Sequence, residues 1–223
     1  MKDPNFKAGI EIHQRLDTHK LFCKCKSQIS ESEPLGVIER KLRPVAGETG
    51  EIDRAALFEA LRERKFKYLC YAEESCLVEA DEEPPHDVNE EALKVAILIA
   101  KMFNCEIPDE IQFMRKTVID GSNTSGFQRT AIIGMNGFIE SSLGKVRITN
   151  VCLEEEAAQI IEKKENEVVY GLDRLGIPLI EIGTAPDLKT PEHVKEVAEK
   201  IGMLLRSTGK VQRGIGTIRQ DVN

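Results

Sequence analysis

Charged and imidazole side chains recur two residues apart in short apolar segments of the chain. Glu11 and His13 stand in GIEIHQRL, Arg219 and Asp221 stand in TIRQDV, and Glu181 lies inside PLIEIG. Residues two apart in a strand project from the same face, so each pair would present its polar groups together. One polar strand face is often merely solvated, but the repetition favours a shared polar site.

Glu181 is the best single candidate for such a site. It lies between Ile180 and Ile182 and follows Pro178 and Leu179, so its surroundings are apolar. A buried carboxylate is costly unless it is paired or binds a metal ion. The segment therefore predicts a functional carboxylate.

Three consecutive glutamates, Glu154, Glu155 and Glu156, follow the apolar end of a predicted strand. Like charges this close repel each other unless a cation lies among them. One interpretation is a set of metal ligands. The alternatives are a solvated loop or the start of a helix through residues 157–162.

Carboxylates and a histidine from separate strands suit Mg²⁺ that is held together with nucleotide phosphates. Arginines such as Arg129, Arg174 and Arg219 can neutralise the charge that develops in phosphoryl transfer. The chain contains neither a Walker A sequence nor a kinase glycine-rich loop. An ATP site here would therefore be of another kind.

The segment DGSNTSGFQRT offers a hydroxyl, an amide and a guanidinium group in a turn bracketed by glycines. These groups belong to Ser125, Gln128 and Arg129, and such a turn can contact phosphate. Ordinary turn chemistry explains the segment equally well.

Six cysteines show no compact disulfide framework, which is typical of a reducing compartment. Cys23 and Cys25 form a C-x-C pair that would need Cys70 or Cys76 to complete a structural zinc site. Zinc sites usually contain two C-x₂₋₄-C pairs, whereas five residues separate Cys70 from Cys76. The spacing is compatible both with a structural zinc site and with a set of free thiols.

The side chains above must be positioned by the strands and helices that the sequence predicts. These elements indicate an α+β fold with a large, mostly antiparallel sheet. Residues 8–16 alternate as a strand. Between residues 111 and 153, glycines separate IQFMRKTVI, RTAIIG, GFIES and KVRITNVCL, which predicts an antiparallel meander. We expect flanking helices at 53–64 with Asp53 as N-cap, after Asn89 to about residue 103, and from Thr190 to Gly209.

Charge and hydropathy restrict the partners. With 31 basic and 38 acidic residues the net charge is −7, so the overall field repels nucleic acid and any RNA contact must be local. No apolar run approaches the roughly 20 residues that cross a bilayer, and the N-terminal residues resemble no signal peptide. We expect a cytoplasmic protein that does not bind membranes.

Several of these segments together resemble the GatB/GatE amidotransferase family. They are GIEIHQRL, KLFCKC, DEEPPHDVN, SGFQRT, VCLEEEAAQI, LDRLGIPLIEIGTAPDLKTPE and GIGTIRQDVN, in this order from residue 9 to residue 223. RLGIPLIEIGTAPD and GTIRQDVN are the most specific, and DEEPPH with LDRLG favours the archaeal E-type members. The resemblance implies that residues 1–223 are the N-terminal part of a catalytic domain, the cradle, with a fold related to glutamine synthetase.

The resemblance also implies an activity and its partners. ATP would phosphorylate the γ-carboxylate of glutamate on Glu-tRNA(Gln), and ammonia from the partner amidase GatD would displace the phosphate. It implies a homodimer within a heterotetramer, with most tRNA contacts in regions beyond this segment. Bacterial-type relatives carry a more complete set of zinc-binding cysteines.

The family's motifs imply roles for particular residues. The implied Mg²⁺ ligands are Glu11, His13, Glu154, Glu155 and Glu181. The implied lining of the nucleotide and acyl-phosphate pocket comprises Ser125, Gln128, Arg129, Arg174, Arg219 and Asp221. A non-catalytic scaffold that docks the amidase, and a metal-dependent hydrolase, are the rival hypotheses; the hydrolase lacks an obvious nucleophile with a paired base.

Overall fold

The computed structural model describes residues 6–41, 44, 46–47, 49–62 and 64–223. Three helices are described: α1 (Arg54–Leu61), α2 (Glu90–Met102) and α3 (Pro191–Ser207). The ten described strands are β1 (Ile10–Arg15), β2 (Gly36–Lys41), β3 (Lys65–Cys70), β4 (Phe113–Thr117), β5 (Phe127–Ser141), β6 (Gly144–Glu155), β7 (Gln159–Lys163), β8 (Glu167–Gly171), β9 (Pro178–Thr184) and β10 (Ile218–Val222). The predicted α+β class is confirmed.

Six strands form the first sheet in the order β10-β1-β9-β6-β5-β4, and all neighbouring pairs in it are antiparallel. One of its faces packs with α2 and α3 around a core that includes Ile12, Ile180 and Ile182. Alternation along the strands places Glu11, His13 and Glu181 on the other face. The polar site therefore lies on the sheet face away from the helices.

A second, four-stranded sheet has the order β2-β3-β8-β7, with one parallel pair between β3 and β8. Its own small core contains Phe66, Tyr68 and Tyr170. The Tyr68 and Tyr170 hydroxyls donate to the carbonyls of Gly121 and Asp120 at 2.7 and 2.8 Å. These bonds hold the loop between β4 and β5 against the second sheet.

Two of the helices match the sequence closely. Asn89 caps α2 by accepting hydrogen bonds from the amides of Glu91 and Ala92, and Thr190 caps α3 with Pro191 at its first position. Gly209 follows α3 with a φ of +65°, which is a conformation that glycine tolerates well. The predicted bounds of both helices are confirmed.

Helix α1 lies within the segment 53–64 that the sequence predicts to be helical, but most of its residues are exposed. Asp53 is its N-cap, as predicted, and accepts from the amides of Ala55 and Ala56 at 2.9 and 3.0 Å. Among the residues of α1, only Ala56 is buried. Leu57, Phe58 and Leu61 are exposed, so the apolar face of α1 has no cover among the described residues.

Strand β5 corrects the predicted meander, because RTAIIG and GFIES belong to one 15-residue strand. Gly134 and Gly137 do not end it. They leave room for the chain around Cys105, since a Cβ at Gly134 would lie 2.7 Å from the Cys105 Cβ. A bulge between Ile132 and Gly134 absorbs the local irregularity.

The acidic run is part of a strand and not the start of a helix. β6 continues through Glu155, and the next strand begins at Gln159, so the helix considered for residues 157–162 is wrong. No helix in the described ranges combines the length and the hydropathy that a membrane span requires.

Candidate active site

Glu11, His13 and Glu181 meet on two neighbouring strands of the first sheet. His13 and Glu181 are directly opposite each other in the β1–β9 register. The His13 Nε2 atom lies 3.5 Å from Glu11 Oε1 and 3.4 Å from Glu181 Oε2. One donor atom from each residue falls within 4.8 Å of the other two. The three side chains, the carboxylate–histidine cluster, therefore fit a single small cation.

Mutual contact shifts the pKa values of this pair in opposite directions. The hydrogen bond to Glu181 raises the pKa of His13 above its ordinary value, against the opposing effect of burial. The same bond lowers the pKa of Glu181, and Lys116 adds to the effect. The contact therefore favours the charged form of both side chains.

Glu154 extends the cluster from β6. Its side chain is buried and accepts a hydrogen bond from Gln128 Nε2 at 3.2 Å. The Lys116 Nζ atom lies 3.7 Å from Glu154 Oε1 and 3.9 Å from Glu181 Oε2. Burial, followed by the charge of Glu181, raises the pKa of Glu154. A third carboxylate and a lysine thus border the proposed cation position.

Sequence reasoning missed Lys116 and Asn150. The Asn150 Nδ2 atom donates to Glu181 Oε1 at 3.4 Å, and Lys116 reaches the cluster from the edge strand β4. Both lie on predicted strands, so alternation alone could have placed them on a polar face. Only the strand order shows which polar face they join.

The structure does not bring Glu155 to the cluster, because it points to the opposite face from Glu154. Arg129 binds it through Nη1, which lies 3.1 and 3.0 Å from the two carboxylate oxygens, and through its backbone amide at 3.0 Å. Burial raises the pKa of Glu155 although Arg129 opposes the shift. Glu155 is the partner of an arginine in this structure, and the period of two along β6 explains why.

Arg219 and Asp221 flank the cluster from the edge strand β10, where they lie opposite His13 and Glu11 in register. Arg219 Nη2 donates to Glu156 Oε1 at 2.9 Å. Arg15 Nε donates to Glu156 Oε2 at 3.0 Å. Cations thus lie among the three glutamates, as the repulsion argument requires.

Ser125 and Arg174 make local contacts. The Ser125 hydroxyl donates to the Phe127 carbonyl at 3.1 Å within its turn. Arg174 donates to the carbonyls of Ala157 and Ala158 at 2.7 and 2.8 Å, and burial lowers its pKa. In the described contacts Arg174 supports the backbone after β6 and does not reach the cluster.

A second group of potential metal ligands lies in two loops. Donor atoms of Cys23, Cys25, Cys76 and Glu79 all fall within 4.8 Å of one another. The Cys23 thiol donates to Glu79 Oε1 at 3.0 Å. The hydrogen bond from Cys23 lowers the pKa of Cys25 to about 7. The structure thus selects Cys76 over Cys70 as the companion of the C-x-C pair.

Comparison with known proteins decides the family. The model of the GatB/GatE catalytic domain matches residues 6–223. The chain belongs to the GatB/GatE catalytic domain family. This is the family that the sequence motifs resemble.

Several curated proteins are similar to this GatB/GatE domain. Those from Methanocaldococcus jannaschii and Archaeoglobus fulgidus are 58% and 57% identical, over 97% and 100% of this chain. A relative from Methanococcus vannielii is 54% identical over 97% of the chain. Each is named as the E-type subunit of glutamyl-tRNA(Gln) amidotransferase, and the chain spans 34–36% of their length.

Proposed function

We propose that this chain contributes the ATP-dependent activation site of a glutamyl-tRNA(Gln) amidotransferase. The observation that carries the proposal is the convergence of Glu11, His13 and Glu181 on one sheet face, with Arg219 beside them. The archaeal relatives are named as subunits of glutamyl-tRNA(Gln) amidotransferase, and the proposed reaction is based on that name. ATP, Mg²⁺ and the ammonia-supplying amidase GatD belong to the proposal.

The donor set suits Mg²⁺. Carboxylate oxygens are its preferred protein ligands, and Mg²⁺ usually completes its coordination with water and substrate phosphates. Glu11, His13 and Glu181 would hold the ion, with Glu154 next to them. When bound, Mg²⁺ would neutralise charge on the β- and γ-phosphates.

The chain's own residues position and neutralise the reacting groups. Lys116 lies 3.9 Å from Glu181 of the carboxylate–histidine cluster, and Arg219, which binds Glu156, lies opposite His13 in register. Both cations would neutralise the charge that develops on the equatorial oxygens of the γ-phosphoryl group. The glutamate γ-carboxylate of Glu-tRNA(Gln) attacks the γ-phosphorus and releases ADP. Ammonia then attacks the acyl phosphate, inorganic phosphate leaves, and Gln-tRNA(Gln) results. Positioning and charge neutralisation carry most of the catalysis.

A structural zinc ion is a separate part of the proposal. Thiolates and a carboxylate are common zinc ligands, and Cys23, Cys25, Cys76 and Glu79 are close enough to share one ion. The ion would tie the loop after β1 to the loop after β3.

One observation favours the scaffold as a second candidate function. Leu57, Phe58 and Leu61 expose an apolar face of α1, and a docking surface for the amidase would need such a patch. Scaffold and catalytic functions can reside in one chain, but only the catalytic function requires the carboxylate–histidine cluster.

The test of the catalytic proposal is Glu181→Gln in the intact amidotransferase complex. This variant keeps the size of the side chain but removes the charge that the ion needs. We expect ATP-dependent formation of Gln-tRNA(Gln) to fall by at least about a hundredfold. Hydrolysis of the amide donor by the partner amidase should stay measurable. Unchanged amidation would refute the site assignment.

A further inference from the structure

Lys20 is a fully buried lysine beside the candidate zinc site. Its side chain is 0% exposed, which is rare because a buried ammonium group costs free energy unless a partner compensates it. Its Nζ atom lies 3.8 Å from Glu79 Oε1. Glu79 belongs with Cys23, Cys25 and Cys76 to the potential zinc ligands described above, which are here called the cysteine group. A buried cation therefore lies against this group.

The ammonium group of Lys20 makes fewer hydrogen bonds than its burial requires. It can donate three hydrogen bonds. Among the described residues its acceptor is the carbonyl of Leu172, at 2.9 Å, because the 3.8 Å to Glu79 is longer than a hydrogen bond. The Oε1 atom of Glu79 instead accepts from the Cys23 thiol at 3.0 Å. A buried cation with unused donors thus lies next to the cysteine group.

The charge of the cysteine group indicates what this cation can do. Cysteine binds zinc as a thiolate, so three thiolates and one carboxylate would bring four negative charges to an ion of charge +2. The net charge of −2 would lie among buried and half-buried side chains, where uncompensated charge is costly. Lys20 supplies a positive charge at ion-pair distance.

Arg129 is a second cation near Glu79, since both line one small cavity. Its Nη1 atom binds both carboxylate oxygens of Glu155, at 3.1 and 3.0 Å. The charge of Arg129 is therefore matched by another carboxylate. Lys20 is the better counter-charge for the cysteine group.

Contacts on both oxygens orient the Glu79 carboxylate. Oε2 accepts from the backbone amide of Cys76 at 2.8 Å, and Oε1 faces the Cys23 thiol and Lys20. Gly176 closes the remaining side, because a Cβ there would lie 3.2 Å from Glu79 Oε1 and 3.5 Å from Lys20 Cδ. Outer contacts that hold a ligand in place strengthen metal binding.

We infer that Lys20 is a positioning residue of the cysteine group. Its charge compensates the zinc ion with its four ligands, and its contact orients Glu79 as the fourth ligand. This inference rests on the zinc part of the proposed function and is independent of the nucleotide site. It gives the one buried cation in contact with Glu79 a role in metal binding.

Lys20→Met tests this role because it removes the charge with little change in side-chain length. Competition with a chelator measures the zinc affinity of the 223-residue chain. We expect the affinity to fall at least about tenfold, as for other outer contacts of a metal ligand. Lys20→Gln keeps a donor for the Leu172 carbonyl but no charge, and it should show the same loss. Lys24→Met is the matched control, since Lys24 stands between the two cysteines but is exposed, and its affinity should stay within about twofold.

A double-mutant cycle with Glu79→Gln separates positioning from general stability. In the Glu79→Gln background, Lys20→Met should lower zinc affinity by less than about threefold, because the charge on which Lys20 acts is gone. This background also removes the buried carboxylate that Lys20→Met alone would leave unpaired, so the test holds even if the single variant folds poorly. Circular dichroism and thermal unfolding with chelator present compare the folds of all variants.

Three results would overturn the inference. Unchanged zinc affinity in both Lys20 variants would show that the cation does not act on the cysteine group, although zinc binding by the parent chain would keep the zinc proposal. Equal losses with and without Glu79→Gln would mean that Lys20 acts on the fold and not through Glu79. If the folded parent chain binds no zinc, the zinc proposal fails and the role of Lys20 fails with it.

Discussion

At the scale of single residues, the contact between His13 and Glu181 favours the charged form of both side chains. Their hydrogen bond raises the pKa of His13 and lowers the pKa of Glu181. The stabilisation from a raised histidine pKa is present below the unfolded value, about 6.5, and is lost as the pH rises through the folded value. The stabilisation from a lowered glutamate pKa is present above about 4.3 and is lost as the pH falls through the folded value. The pair therefore stabilises the fold most between these limits.

Glu181→Gln should lower the pKa of His13 toward its ordinary value, because it removes the largest favourable contact of the imidazolium. The measurement is a titration of the histidine NMR signals in metal-free buffer. Glu11→Gln is the matched control, since Glu11 contributes less than Glu181 to the raised pKa. An equal shift in the two variants would contradict the dominant role of Glu181.

The same residues show what alternation can and cannot predict. The spacing of Glu11 and His13 correctly predicts a shared strand face. Alternation also places the side chains of Glu154 and Glu155 on opposite faces of β6, although the family resemblance implies that both are metal ligands. The pairing of Glu155 with Arg129 could not be predicted, because it depends on how β5 lies beside β6.

At the scale of elements, the long strand β5 depends on two glycines where α2 ends. A Cβ at Gly137 would lie 2.5 Å from the Phe103 carbonyl oxygen and even closer to the Cys105 thiol. No real Cβ contact is that short, so the chain around Cys105 would have to move. The sequence analysis interprets these glycines as strand ends. A local sequence pattern does not reveal that another segment of the chain, around Cys105, packs against the strand at these positions.

Gly137→Ala should therefore destabilise the chain by about 1–3 kcal/mol, the usual range for overpacking a core. Urea unfolding followed by circular dichroism measures this difference. Gly202→Ala is the control in α3, where a Cβ meets nothing within 4 Å and alanine favours the helix. A loss of stability at Gly202 that matches the loss at Gly137 would argue against the crowding at Cys105.

Two loops meet at the cysteine group, and zinc would connect them. Cys76→Ser should reduce bound zinc from about one ion per chain to well below half, and it should lower Tm because the ion stabilises only the folded arrangement. Cys70→Ser should change neither quantity, since Cys70 lies outside the group. Elemental analysis and thermal unfolding provide the two readings. Full zinc content in Cys76→Ser would exclude Cys76 as a ligand.

At the scale of the whole molecule, the sequence predicts the α+β class, the starts of all three helices and the antiparallel pairing of the large sheet. It does not predict the second sheet. That sheet joins β3 to β8, which are nearly a hundred residues apart in the chain. Period and propensity act locally, whereas such pairings are decided by packing between distant segments. A cavity of about 830 Å³ that lies between the second sheet and the β4–β5 loop was missed for the same reason.

The two sheets carry different features of the molecule. The first sheet presents the carboxylate–histidine cluster, and the second sheet with the loop at residues 121–126 forms the cavity. With a net charge of −7, the general field does not attract a nucleotide. In the proposed nucleotide site, local cations such as Lys116 and Arg219, together with Mg²⁺, would provide the attraction.

The most direct test is calorimetric titration of the 223-residue chain with ATP, with and without Mg²⁺, beside Glu181→Gln and His13→Ala. We predict binding that requires Mg²⁺ and weakens at least about tenfold in both variants, since each removes a ligand of the proposed ion. Binding by both variants at the affinity of the parent chain, or no binding by a parent chain that is demonstrably folded, would contradict a metal-dependent nucleotide site on this sheet face.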